Sequence, residues 1–482
     1  MKNPLKLIVT LSIILVLLAG CGFASAAAAG GSASDPMATP AATTQVTERD
    51  ASGEYDEKSA VTLKPTDELT ITKAGVYILS GSYEGMITVD AGDEDKVQIV
   101  LSNADLSNPD GPAIYVRNAD KVFLTAAEGT ENSISDGAEY TLEDGDTTLD
   151  AAVFSRDDLT INGAGKLTIT GSSKHAVVSK DDLTVTAKDL TVSAQNVGLS
   201  GKDCVKISGA SVTITAGSDG IRSDNDTDGE CGYVSAADSV IRVTAGSDGI
   251  QAVSSIEMDG CSCEIDAEDD AIHADGSAAI RRGSVTITCG DDAIHADGKA
   301  EITGGTLDIT GREGIEATYI LISGGDITIS ATDDGINAGR KSSTYSPTVE
   351  ITGGSLTITM GAGDTDGIDS NGDLIISGGT ISVNAASAFD WDGNLSFTGG
   401  TVYINGQQVT TISNQMMGGG FGGMQGKGGF GGYGGFPGQG NAGASDGGTG
   451  AAPDSGAFPG GQGGEGSFGG GHGHGKRGGQ SA

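Results

Sequence analysis

The phrase "DDAIHADG" occurs twice, at residues 269–276 and 291–298. Each copy sets two adjacent acids, a histidine and a further acid within seven residues. Clustered carboxylates beside glycines that expose backbone carbonyls suit calcium, which takes six to eight oxygen ligands at about 2.3–2.6 Å. The paired acids Asp269 and Asp270, Asp291 and Asp292, and Asp333 and Asp334 are the leading candidates. His273 and His295 fall at the same place in their two phrases. They read either as a zinc pair or as a stacked pair hydrogen-bonded to neighbouring acids.

The phrases belong to a longer series. An acid precedes a small residue and an aliphatic one at Asp219, Asp248, Asp270, Asp292, Glu313, Asp334 and Asp366. A second acidic position follows at Asp224, Asp275 and Asp297, continued by Asn371 and Asp392. Earlier in the chain the second position is basic, with Arg156, Lys180 and Lys202, each followed by an acid: Asp157, Asp181 and Asp203. With Arg222 these bases are candidate contacts for uronate carboxylates; the other reading is that each base neutralises the acid beside it.

Such residues need an element that brings them together. The small-aliphatic pairs that begin at Ala152, Ala176, Gly198, Gly220, Gly249, Ala271, Ala293, Gly314, Gly335, Gly367 and Ala388 recur about every 22 residues. Self-similarity at that length marks a solenoid. Within one repeat, "DAIHADGKAEITGGTLDITG" alternates apolar and polar residues in three short segments parted by glycine corners, which is the pattern of strands. The expected fold is therefore all-β: a right-handed parallel β-helix with three strands per coil. Insertions after Ser223 and Gly339 are loops pushed out of a corner. "SDNDTDGE" in the first resembles a calcium-binding EF-hand loop only loosely. Equivalent positions in stacked coils lie about 4.8 Å apart, so the acids form columns. At that spacing two like charges repel by about 1 kcal/mol in water and by several at an effective dielectric of about 20. Cations between the acids offset that cost; a solvated, salt-screened edge is the alternative.

The totals agree. The chain has 482 residues, 81 glycines, 65 acids and 27 bases, for a net charge of −38. Nucleic acid is excluded as a partner, because phosphate binding needs basic surface. "MKNPLK" and "LIVTLSIILVLL" read as an export signal, and "LAGC" as a lipoprotein cleavage site. The expected order is a signal peptide over 1–20, lipid on Cys21, a tether over 21–50, irregular opening coils over 51–150, the regular β-helix over 151–414 and a glycine-rich tail over 415–482. The protein is expected to be a monomer held by its lipid on the outer face of the cell membrane. Of the other cysteines, Cys261, Cys263 and Cys289 read as buried thiols, and Cys204 and Cys231 are near enough in the repeat to form a disulfide. Trp391 reads as a plug at the C-terminal end of the core, with stacking on a sugar ring as the alternative. His472 and His474 in the tail could bind a transition metal or stand in solvent.

The stretch "ITKAGVYILSGSYEGMITVDAGDEDKVQIVLSNADLSNPDGPAIYVRNADKVFLTAAEGTENSISDG", then "FSRDDLTINGAGKLTITG", "SDGIRSDND", "DDAIHADG" and "DDGINAG", resembles a family of secreted bacterial carbohydrate-binding proteins over roughly residues 60–405. The resemblance implies a fold similar to pectate lyases, calcium on the helix surface, and adhesion to cellulose-like glycans or acidic sugars such as polygalacturonate. It assigns no contacts residue by residue. The expected function is a surface-anchored, calcium-dependent polysaccharide-binding protein. The alternative is a calcium-dependent polysaccharide lyase, with Lys180, Lys202 or Arg222 as base. A structural spacer without glycan affinity is a third class. No catalytic triad or phosphate loop is visible.

Overall fold

The computed structural model describes residues 46–64, 68–141, 148–362 and 365–414. Cys21, its leader and the glycine-rich tail lie outside them. Within them the chain is a parallel β-solenoid of about 15 turns with a spacing near 22 residues. One coil is built from Ile221–Ser223, Tyr233–Ala237 and Val240–Ala245, and each strand pairs in parallel with its counterpart in the next coil. Three faces result.

Alternation decides what is buried. On the first face Val153, Val177, Leu199, Ile221, Ile250, Ile272, Ile294, Ile315, Ile336, Ile368 and Phe389 stack inward in consecutive coils. On the third face Val243, Ile265, Ile287, Ile309, Ile329, Ile358, Val383 and Ile404 form the matching column. Aliphatic side chains in register remove each other from water along the whole axis, with a driving force of about 25 cal/mol per Å² of apolar surface. The corner between the second and third faces turns on Gly305, Gly325, Gly354, Gly379 and Gly400, with φ of +90°, +95°, +84°, +83° and +84°. A side chain is disfavoured in that left-handed region, which is why the sequence repeats Gly-Gly there.

Both insertions leave the corner between the first and second faces, as residues 224–232 and 339–347. At the C-terminal end Thr401–Ile404 pairs antiparallel with Gln407–Val409, the one antiparallel pairing among the described strands. Trp391 follows the small inward column Ala296, Ala317, Ala338 and Ser370 and packs against the last of the core.

Two expectations need correction. Thr47–Asp50, at the end of the supposed tether, is part of a one-turn helix and its cap, over Glu48–Ala51. Asp50 is only 3% exposed. Its carboxylate accepts from Thr160 Oγ1 at 2.7 Å and pairs with Lys121 Nζ at 2.9 Å, and its carbonyl accepts from Asn162 Nδ2 and Thr186 Oγ1. Cys204 and Cys231 form no disulfide. The Cys204 thiol is buried and donates to Asp182 Oδ1 at 2.9 Å. Cys261 and Cys263 are buried as expected, and Cys289 half-buried.

Candidate functional site

The acids that precede the small-aliphatic pairs do stack. Backbone bonds run coil to coil through them: Gly220 N–H donates to Asp248 O, Gly249 to Asp270, Ala271 to Asp292, Gly314 to Asp334 and Gly335 to Asp366. Asp292 lies in register with Glu313. Several carboxylates also cap the ladder. Asp248 Oδ1 accepts from Asp270 N–H at 3.2 Å, Asp270 Oδ1 from Asp292 N–H at 2.8 Å, and Asp334 Oδ1 from Asp366 N–H at 3.0 Å. Asp219, Asp270, Asp292 and Glu313 are nearly inaccessible.

What covers them is a second column three residues on. Arg222, Gln251, His273, His295, Glu316, Asn337, Asp369 and Asp390 lie in register. In an extended strand, positions i and i+3 fall on opposite faces, but the turn before each small-aliphatic pair swings the acid round to meet the outward side chain. Arg222 Nη1 lies 3.3 Å from Asp219, His273 Nδ1 2.8 Å from Asp270, and His295 Nδ1 2.9 Å from Asp292. The two imidazoles stack with centroids 4.7 Å apart and planes at 18°. Hydrogen bonds to Asp270 and Asp275 push His273 up to about 10. For His295 burial works the other way, but Asp292 and Glu316 outweigh it and lift the ring to about 10.

The third column begins with the expected bases. Arg156, Lys180, Lys202 and Asp224 succeed one another, and Arg117 extends the column upstream. Lys202 Nζ reaches Asp224 Oδ1 at 3.2 Å, and Arg222 Nε lies 3.7 Å from Asp224 Oδ2. Arg156 Nε donates to the Tyr115 hydroxyl at 2.8 Å. Lys180 is exposed, with its ammonium 5.3 Å from the centroid of the Phe154 ring. Val253 interrupts the acidic part of the column between Asp224 and Asp275, and Thr318 follows Asp297. Asp275 and Asp297 face the outer nitrogens of His273 and His295, at 3.5 and 3.4 Å.

One residue that the sequence reading passed over changes the electrostatics. Arg312 stands between Asp291 and Asp333, in the place where those coils carry an acid. Its guanidinium bonds both, lies 3.5 Å from Asp292 and 3.0 Å from Glu313. Lys341, from the second insertion, reaches Glu316 at 2.8 Å. Although burial opposes it, His295 and Lys341 hold the Glu316 carboxyl down at about 2. Repulsion in the acid columns is therefore offset at many points by bases of the chain itself. The strain still shows: burial and neighbouring carboxylates push Asp334 up to about 7 and Asp369 to about 6, and they raise Asp248 to about 6 and Asp292 to about 7 although His273 and His295 act the other way.

The expected calcium ligands thus divide. Asp219 and Asp224 are engaged by Arg222; Asp248, Asp270 and Asp275 by His273; Asp292 and Asp297 by His295; Asp291 and Asp333 by Arg312. Asp269, Asp270 and Asp291 form an all-oxygen set with ligand atoms within 4.8 Å of one another, a donor type that suits a hard cation, although an ion there would share Asp270 with His273 and Asp291 with Arg312.

A family model described as carbohydrate-binding domain-containing protein matches residues 66–314 and 311–409. A carbohydrate-binding domain-containing protein of Acetivibrio thermocellus is 36% identical over 129 residues, 26% of this chain and 45% of the relative. The chain thus spans a little under half of that relative's length. A solved structure of a polysaccharide lyase-like protein from C. thermocellum, in a gadolinium derivative, is 32% identical, covers 47% of this chain and 91% of its own, and superposes with a TM-score of 0.42. Matched across most of its solenoid, the chain belongs to the family of carbohydrate-binding domain-containing proteins.

Proposed function

We propose that the protein binds an acidic polysaccharide lengthwise across its coils, without cleaving it. The observation that carries this reading is the basic column. Arg117, Arg156, Lys180 and Lys202 stand one coil apart on the first face, and Lys180 makes no ion pair with any described residue. A row of cations at the coil spacing of about 4.8 Å suits a polymer that carries a carboxylate on each extended sugar unit. Calcium at Asp269, Asp270 and Asp291 would extend the same contact into the acidic coils, joining glycan carboxylates to protein ones. Lipid on Cys21 would hold the solenoid at the outer face of the membrane, and Cys21→Ala should then release it into the medium.

Polygalacturonate binding and release of unsaturated products should be measured on Lys180→Ala, Lys202→Ala and Arg222→Ala. A binding protein loses affinity in part with each change, and its remaining affinity becomes more sensitive to salt. A lyase loses turnover with one change while substrate still binds. Turnover by the unaltered chain at any calcium concentration would overturn the reading. Chelator should lower the melting temperature, and calcium should restore it better than magnesium.

A further inference from the structure

The stacked histidines carry a chemistry that the glycan reading does not use. We infer that His273 and His295 form, with Asp248, Asp270 and Asp292, two adjacent sites for a divalent transition metal of the zinc type, sharing the Asp270 carboxylate. In the first, His273 Nδ1 lies 2.8 Å from Asp270 Oδ2 and 3.8 Å from Asp248 Oδ2. In the second, His295 Nδ1 lies 2.9 Å from Asp292 Oδ2 and 3.8 Å from Asp270 Oδ2, with Glu316 Oε2 at 3.1 Å as a further donor. Within each set one ring nitrogen and two carboxylate oxygens all lie within 4.8 Å of one another.

The dimensions suit the ion. Zinc bonds nitrogen and oxygen at about 2.0–2.2 Å in a tetrahedron, which puts its ligands roughly 3.3 Å apart, so small side-chain shifts close either set. The donor types select the metal class: imidazole nitrogen with carboxylate oxygen favours zinc, nickel or copper over calcium, which takes oxygen. In the metal-free chain each Nδ1 lies within hydrogen-bond distance of one of these same oxygens, and a proton shared there is what an ion would displace. The metal takes its place and the proton leaves to solvent, so the exchange adds one positive charge per site. The surroundings accept that charge, because Asp275 and Asp297 stand at the outer ring nitrogens and Glu316 beside His295.

Preorganisation comes from the backbone. Ile272 pairs with Ile294 and Ala274 with Ala296, so strand register fixes the spacing of the two rings before any ion arrives. Two dications about one coil apart repel each other, so the sites fill in order. The His295 site fills first, since its ring is the more buried, at 13% against 29% side-chain exposure, and Glu316 supplies an extra oxygen. Glycan affinity plays no part in the argument, and its loss would leave the inference standing.

The test uses the full chain with His472→Ala and His474→Ala, which removes the tail histidines as competing ligands. After chelator treatment and dialysis, zinc is titrated calorimetrically in excess calcium. The expected result is one tight ion and a second at least tenfold weaker. His295→Gln should remove the tight step, and His273→Gln the weak one only. Cobalt soaked into the chain without changes at these two histidines reads the ligand set independently of any folding defect, and should give the intense visible bands of a four-coordinate ion. A pale, six-coordinate cobalt spectrum would overturn the inference. So would zinc uptake that His273→Gln and His295→Gln together leave unchanged, or uptake that calcium abolishes.

Discussion

Arg312 shows how one side chain can decide the charge balance of several coils. It stands between Asp291 and Asp333 and also meets Asp292 and Glu313. Arg312→Gln should cost about 1–2 kcal/mol, the range for charge-assisted bonds that are partly exposed. Calcium should recover more of that loss than it adds to the unaltered chain, because the two freed acids gain a cation. Equal calcium effects on both chains would show that Arg312 does not stand in for an ion. The same columns set the response to pH. Burial first, then neighbouring carboxylates, push Asp248 up to about 6, Asp334 to about 7 and Asp369 to about 6. Each lies above its unfolded value of 3.8, so the native state holds these protons more tightly. Their ionisation therefore weakens the fold as pH rises through 6–7. His273 and His295, raised to about 10, contribute stability that is full below about pH 6.5 and lost as pH rises through 10. Both effects have one sign. Asp150, held at about 2 by His175 and Lys174 against the effect of burial, and Glu316, also at about 2, lose their contribution only as pH falls through 2. The melting temperature, followed in chelator at fixed ionic strength, should fall steadily from pH 5 to pH 10; a rise between pH 5 and 8 would contradict this account. The acids and the histidine pair were legible because they recur at the period of the coil. Arg312 and Lys341 were not, because Arg312 stands where neighbouring coils carry an acid and Lys341 lies in an insertion outside the repeat.

The strands were legible for the same reason, and their departures mark where long-range contact overrides local pattern. Period-two alternation and the Gly-Gly corners locate the three faces. The one-turn helix over Glu48–Ala51 carries no such periodicity, and its place is set by Asp50 reaching Thr160 and Asn162 more than a hundred positions along the chain. A subtler feature is the column of small residues beside the inward aliphatics. A Cβ on Gly249 would meet Ile265 Cγ2 at 2.4 Å and the Ala271 carbonyl at 2.5 Å, while the coils after it carry Ala271 and Ala293. Alanine at Gly249 therefore needs its neighbours to shift. Gly249→Ala should destabilise by about 1–3 kcal/mol through overpacking, and Ala293→Gly by about 0.5–1 kcal/mol through chain entropy. Urea unfolding of the two variants checks the order. A Gly249→Ala chain as stable as the parent would mean that the coils slide freely enough to accept the methyl.

Across the whole molecule, both forces that hold the coils together are short-ranged. The inward aliphatics touch only the coil above and below, and charge is screened over about 8–10 Å at ordinary ionic strength, roughly two coil spacings. Stability should then be a sum of coil and interface contributions rather than a single cooperative quantity. The acids that stack from Asp219 to Asp366 are spread along the axis and not concentrated at one point, which leaves the same conclusion. Position along the axis should therefore decide what a core truncation does. Ile287 has a partner on each side, Ile265 and Ile309, with many coils beyond both. Ile381 is as fully buried but lies one coil from the end, between Leu356 and Val402. Each change to alanine should cost about 2–5 kcal/mol where the surrounding coils stay folded. At Ile381 the terminal coils can open instead, at the loss of few interfaces. Hydrogen exchange on Ile381→Ala should accordingly quicken over about residues 366–409 and leave 151–330 protected as in the parent. Ile287→Ala should quicken exchange on both sides of its own coil and lower the main unfolding transition. If Ile381→Ala instead raised exchange evenly from the first coil to the last, the coils would be coupled over their full length, by something other than neighbour packing and screened charge.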